Sequence, residues 1–299
     1  MSNTKKSLIY ILICYLSWGL FPIYFKLLTS IPAYELLSHR IIWSFIFMVF
    51  VVALAKNRKE TLLEIKNLWA NKKAFSLLII ASILITLNWL IYIIAVNNNK
   101  ILEASFGYYL NPIVTIILAV IFLKERLSRV QKLACLCVAC SLLYLFISLG
   151  TLPIISLCLA LTFGLYSLCK KKIYLSPKAS LLVETAVVSP IAFFYIGYIS
   201  KEGTLVFPHS NTLTIVLILL AGVITAVPLM LFASGAAHIP LYLLGILQYL
   251  PPTMQFLLSI FVYNEQLSTP KLISFSIIWL AVIIFCYSTI MTMKKSKVN

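Results

Sequence analysis

The chain has 299 residues, 62% of them hydrophobic and only 11% charged, with a mean hydropathy of +1.03. A soluble domain is about half apolar and about a quarter charged, so this composition excludes a water-facing surface and makes the bilayer the solvent. The net charge of +16, from 24 Lys and Arg against eight Glu and no Asp, would suggest nucleic acid on a soluble protein; on a membrane protein it reflects basic residues gathered on cytoplasmic loops, and no nucleic-acid partner is expected.

A span needs roughly 20 apolar residues. The first apolar run, 7–27, follows Lys5 and Lys6. It is too long for a signal peptide, contains Trp18 and Pro22 and lacks a small-residue cleavage site, so a retained span is expected. Nine more runs follow, at 35–55, 74–96, 101–123, 130–147, 152–171, 178–199, 212–235, 241–262 and 271–291. The expected fold is an all-α integral membrane protein of ten transmembrane helices. Connections as short as 97–100 and 148–151 force neighbouring helices into antiparallel hairpins, and the segment 56–73 reads as a basic loop.

With the N-terminus inside, 19 of the 24 basic residues fall on cytoplasmic segments and the outside loops hold only Lys100, Lys201 and Lys271, with Lys26 and Arg40 completing the count. This split predicts both termini in the cytoplasm. The seven cysteines lie inside apolar runs and read as packing residues, with no acid or His within a turn of Cys135, Cys137 and Cys140 to complete a metal site.

A shift of 140 residues lays Tyr109, Leu110, Pro112, Leu118, Glu125, Leu127 and Ser128 on Tyr249, Leu250, Pro252, Leu258, Glu265, Leu267 and Ser268. A shift of 145 sets Leu16–Phe21 beside Leu161–Tyr166. The chain therefore divides into two five-helix repeats, 1–147 and 148–299. Five is odd, so the second must be inverted about an axis in the membrane plane, the symmetry that underlies alternating access to a midplane site.

Several blocks carry a family resemblance: Trp18-Gly19-Leu20-Phe21-Pro22-Ile23-Tyr24-Phe25-Lys26, Glu35-Leu36-Leu37-Ser38-His39-Arg40-Ile41-Ile42-Trp43-Ser44, and Asn88-Trp89. Two more are Glu103-Ala104-Ser105-Phe106-Gly107-Tyr108-Tyr109-Leu110-Asn111-Pro112 and Leu247-Gln248-Tyr249-Leu250-Pro251-Pro252-Thr253. Through them nearly the whole chain resembles the EamA type of the drug/metabolite transporter superfamily, and within it the RarD-like permeases. The resemblance implies a bacterial ten-helix inner-membrane carrier with a central cavity. It implies no particular substrate. A bias of 20 Lys to four Arg fits an AT-rich bacterial genome.

A charge at a helix centre costs about 2.5–3.5 kcal/mol on insertion scales, so each one needs a reason. Lys26, Glu35, His39, Arg40 and Glu103 are all expected near the outer mouth of the first half. Lys26 and Glu35 read either as interfacial residues that snorkel or pair, or as cavity groups. Arg40, about five residues or roughly 8 Å into its helix, is the best candidate to face an aqueous cavity, where its planar fork suits a carboxylate or phosphate. His39 reads as a proton relay or as a packing residue, and Glu184 as a solvated helix end or a coupling carboxylate.

The fourth and ninth expected spans carry matched polar stripes: Tyr108, Asn111 and Thr115 in one, Gln248, Pro251 and Gln255 in the other. Tyr249 joins the expected substrate site, and Pro112 and Pro252 are expected kinks near the midplane. Asn88 and Tyr92 share a face of the third span, with Trp89 as either an aromatic wall or a packing residue. The alternative for the stripes is helix stitching by hydrogen bonds.

No nucleotide-binding pattern, carboxylate-rich metal site or nucleophile with a loop His is present, so no enzyme activity and no cofactor are expected. The expected partners are a small-molecule substrate and the lipid bilayer. The leading function is secondary transport of a small polar or amphipathic metabolite. The alternatives are a drug exporter for lipophilic compounds, a channel, and a non-transporting membrane assembly protein.

Overall fold

The computed structural model describes residues 3–123, 129–150, 153–171, 173, 175–236 and 247–296, and every regular element among them is helical. The first expected span is two helices, α1 (Asn3–Gly19) and α2 (Phe21–Lys26), separated at Leu20. Pro22 lies in the first turn of α2, where its missing N–H costs nothing, so the chain re-enters a helix immediately after the break. α3 (Ala33–Leu54), α5 (Lys72–Asn97), α6 (Ile101–Leu123), α7 (Arg129–Leu149) and α8 (Ile154–Lys171) follow. α9 (Pro177–Lys201) and α10 (Thr212–Ala236) come next, then α11 (Leu250–Phe261) and α12 (Thr269–Ser296).

The basic segment 56–73 is not a simple loop. It contains α4 (Arg58–Ala70), which buries Thr61 and Leu68 while Leu62, Leu63 and Trp69 stay exposed. The charge count that marked this segment as cytoplasmic hid its apolar residues, which are spaced for a short amphipathic helix.

Five stretches are long and apolar enough to cross a membrane: Lys5–Lys26, Ala33–Leu54, Lys72–Asn97, Pro177–Lys201 and Thr212–Phe232. Leu136–Ser148, Ile154–Lys170, Leu250–Phe261 and Thr269–Ile284 are shorter apolar helices. Large apolar side chains such as Ile147, Ile191, Phe194 and Phe261 face outward, while Ser, Thr, Asn and Gln side chains are buried between helices. That inversion of the soluble pattern is what a lipid solvent selects, and it makes the chain a multi-pass membrane protein.

The helices pack in a definite set of pairs. α8 lies against α5 and α6, α1 against α10 and α11, and α3 against α9 and α10. α5 meets α9, α6 meets α11 and α7 meets α12. Where backbones come closest, a glycine allows it: a Cβ on Gly222 of α10 would lie 2.2 Å from the carbonyl oxygen of Trp43 on α3.

Local caps fix the ends. The Asn71 side chain accepts from the N–H of Ala74 (3.1 Å) at the start of α5, and the Glu265 carboxylate accepts from Ile101 and Leu102 N–H (both 2.8 Å) at the start of α6. Asn99, between α5 and α6, takes φ +55°, a left-handed turn that Asn tolerates better than most residues.

Candidate functional site

The largest buried cluster lies where α2, α3, α5 and α9 meet, with Phe25, Leu36, Ile41, Tyr92, Ile93 and Val188 among its members. Arg40 enters this apolar setting from α3 and is 4% exposed. Its Nε donates to Thr225 Oγ1 on α10 at 2.8 Å. Gly222, one turn before Thr225, is the residue that lets α10 close on α3.

Aromatic rings surround the guanidinium. Its carbon lies 4.3 Å from the Trp89 ring centroid, 5.4 Å from Phe25 and 5.7 Å from Phe21. Contacts of this kind stabilise a desolvated cation by about 2 kcal/mol. The rings of Tyr24 and Tyr108 join this aromatic cluster, 5.0 Å from Phe25 and 5.7 Å from Tyr92 respectively. The Tyr92 ring lies 5.7 Å from both Phe25, edge to face, and Tyr108, tilted at 45°, and its hydroxyl is buried without a hydrogen-bond partner among the described residues. Among those residues no carboxylate pairs with Arg40. Beside Phe21 and Tyr24 an apolar groove of about 330 Å³ runs between α1/α2 and α10, bounded by Leu20, Val223 and Pro228.

Other expected site residues are placed differently. His39 turns away from Arg40: its ring lies 4.6 Å from Phe207 and its Nε2 is 3.8 Å from Glu35 Oε1. Glu35 itself accepts from the N–H groups of Val206 and Phe207 at 3.2 and 2.8 Å. Asn88 stitches α5 to α8, donating to the Leu159 carbonyl and to Thr162 Oγ1, both at 2.9 Å. Asn111 is buried with an Oδ1 that has no hydrogen-bond partner among the described residues.

The second stripe is split. Gln248 lies half-buried in the turn before α11, whereas Tyr249 belongs to a separate aromatic cluster, 6.1 Å from Tyr109, with Phe256 and Phe275. Gln255 donates to the Trp18 carbonyl at 3.1 Å, and its own Oε1 has no hydrogen-bond partner among the described residues. Pro252 is in the first turn of α11 rather than mid-helix, and its carbonyl accepts from Ser105 Oγ at 2.8 Å. The side chains of Pro112 and Thr115 lie outside the described residues, as do Glu125, Leu127 and Ser128 of the repeat.

The five ionisable groups expected at one mouth do not form one cluster. Lys26 bonds Asn99 and lies 5.4 Å from the Tyr263 ring, Glu35 joins His39, and Glu103 lines a separate cavity of about 280 Å³ with Lys100 and Lys271.

Glu184 is not a solvated helix end. It is 5% exposed on α9 and pairs with Lys170 of α8 at 2.5 Å, while Ser180 Oγ (2.7 Å) and Tyr166 OH (3.2 Å) donate to it. Lys170 and Glu184 are 14 positions apart in the chain, and the close pair joins α8 to α9.

Thr225, which holds Arg40, carried no signal in the sequence. A Thr in an apolar run is common, and only the neighbouring Gly222 hinted at a close helix contact.

The EamA-like transporter family matches residues 5–147. The chain is 43% identical to "Uncharacterized transporter YojE" of Bacillus subtilis, covering 99% of this chain and 98% of that protein. It is 40% identical to "Protein RarD" of Salmonella typhi, over 98% of each. A crystal structure with 14% sequence identity aligns over 95% of this chain and 97% of its own with a TM-score of 0.55, a likeness of fold.

Proposed function

The chain belongs to the EamA-like transporter family, among its RarD-like permeases, and from that premise we propose that this membrane transporter is a secondary carrier working by alternating access. In this reading ten spans form two inverted five-helix repeats, 1–147 and 148–299, in a bacterial inner membrane with both termini cytoplasmic. The cargo is a small polar or amphipathic metabolite, held beside Arg40, Trp89 and Tyr108.

The observation that carries the reading is the pattern of helix pairs. Set α1, α3, α5, α6 and α7 against α8, α9, α10, α11 and α12 in order. The pair α6–α8 then exchanges with α11–α1, α5–α8 with α10–α1, and α3–α10 with α9–α5, while α3–α9, α6–α11 and α7–α12 map onto themselves. A pairing unchanged by exchange of halves is what two repeats related by a twofold axis produce, and an odd number of spans in each half turns that axis into the membrane plane. Arg40 and Thr225 come from different halves, so relative movement of the halves would remake the site.

Protein reconstituted in vesicles and offered a mixture of metabolites, with and without a pH gradient, tests this. Saturable accumulation of a restricted set is expected. Unselective release of every small solute would indicate a channel instead, and no flux at all would remove the transport reading.

A further inference from the structure

Resting on the carrier reading above, we infer that the molecule bound beside Arg40 is an organic oxyanion, a carboxylate or phosphate carried on an apolar body. Arg40 bears a permanent charge, is buried, and has no acid to pair with among the described residues. A guanidinium in such a low-dielectric place is compensated only in part by ring faces and a hydroxyl, so it favours a guest that brings the missing negative charge.

The geometry selects how that charge is met. Trp89, Phe25 and Phe21 surround the guanidinium, and Nε is committed to Thr225, which leaves the terminal N–H edge as the donor surface. That edge matches two oxygens of a carboxylate or phosphate. The buried Tyr92 hydroxyl, without a hydrogen-bond partner among the described residues, supplies a further donor in the same ring cluster.

The same arrangement rejects cations. The aromatic faces that would attract an ammonium are already occupied by Arg40, whose charge repels it. The neighbouring groove beside Phe21 and Tyr24, with Leu20, Val223, Val227 and Pro228 in its walls and Ser17 at its edge, is mostly apolar and suits an apolar body.

Four matched probes test the inference by their effect on the unfolding temperature of the purified full chain in lipid nanodiscs: benzoate, phenyl phosphate, benzyl alcohol and benzylamine. At least one anion is expected to stabilise the protein at concentrations where the alcohol and the amine do not, with an affinity advantage of about tenfold or more. The comparison of benzoate with phenyl phosphate identifies the oxyanion. Arg40→Lys keeps the charge and loses the fork, so it should weaken anion binding by about tenfold.

Stabilisation by benzylamine or benzyl alcohol equal to that of the anions would overturn the inference. So would the absence of binding by both anions, or unchanged anion binding in Arg40→Lys. The carrier reading fails separately: anion binding without vesicle flux would sink transport alone, whereas flux of a neutral compound that is indifferent to Arg40→Lys would sink the anion alone.

Discussion

Arg40 on α3 and Thr225 on α10 are 185 positions apart in the chain, yet Nε of the one lies 2.8 Å from Oγ1 of the other. Thr225→Val keeps the shape and removes the acceptor, leaving a buried charged donor unpaired at a cost of about 1–3 kcal/mol. Thr225→Ser retains the oxygen and should cost much less. Thermal unfolding of the two variants at equal purity checks the difference, and equal midpoints would show that the bond contributes nothing.

Gly222 is where α10 touches the α3 backbone, with a Cβ position 2.2 Å from Trp43 O and 2.7 Å from Ser44 N. Backbone atoms cannot turn aside as a side chain does, so Gly222→Ala must push the helices apart, at the upper end of or above the roughly 1–3 kcal/mol usual for overpacking. Gly197 on α9 has nothing within 4 Å of its Cβ position, so Gly197→Ala should be neutral or stabilising. Size-exclusion profiles after mild heating should separate the two variants, with Gly222→Ala aggregating first.

The all-helical character and most helix limits were legible in the sequence because a bilayer demands long apolar runs and the runs announce themselves. The break at Leu20 and helix α4 were harder to read, since a proline near a span end and an amphipathic stretch within a basic segment resemble ordinary loop signals. Arg40 stood out by its cost in an apolar helix, and Trp89 by its neighbour Asn88. Which polar groups meet depends on how helices far apart in sequence rotate against one another. That is why His39 faces Phe207, Asn88 bonds α8, and Tyr249 joins Tyr109 rather than Arg40.

Glu265, in the segment between α11 and α12, caps α6 through the N–H groups of Ile101 and Leu102. Burial pushes its carboxyl above the ordinary 4.5, against the opposing pull of those N–H groups and of Lys26 and Lys271. A raised folded value means that the native state binds this proton more tightly than the unfolded chain does. Its contribution to stability is therefore fullest below 4.5 and declines as pH climbs through the raised value. Against Glu265→Gln, which does not titrate, the wild type should lose relative stability as pH rises from about 4 to 7. Unfolding midpoints of both proteins across that range check this, and a widening advantage for the wild type would contradict it.

The Lys170–Glu184 pair ties α8 to α9, with Ser180 and Tyr166 completing the carboxylate's shell. Lys170 is 28% exposed at its side chain while Glu184 is 6%, so loss of the two charges is not symmetric. Lys170→Met strands a buried carboxylate, which costs up to about 3 kcal/mol after allowing for the partial solvation of the lysine site. Glu184→Gln releases a lysine that reaches water, keeps an oxygen for Ser180, and should cost less. Combining them removes both charges, so the double variant should recover much of what Lys170→Met loses. A double-mutant cycle on unfolding free energies reads this directly. A coupling within about 0.5 kcal/mol of zero is the value for independent sites, and finding it would mean that the pair is held in place by the helices and does not hold them together.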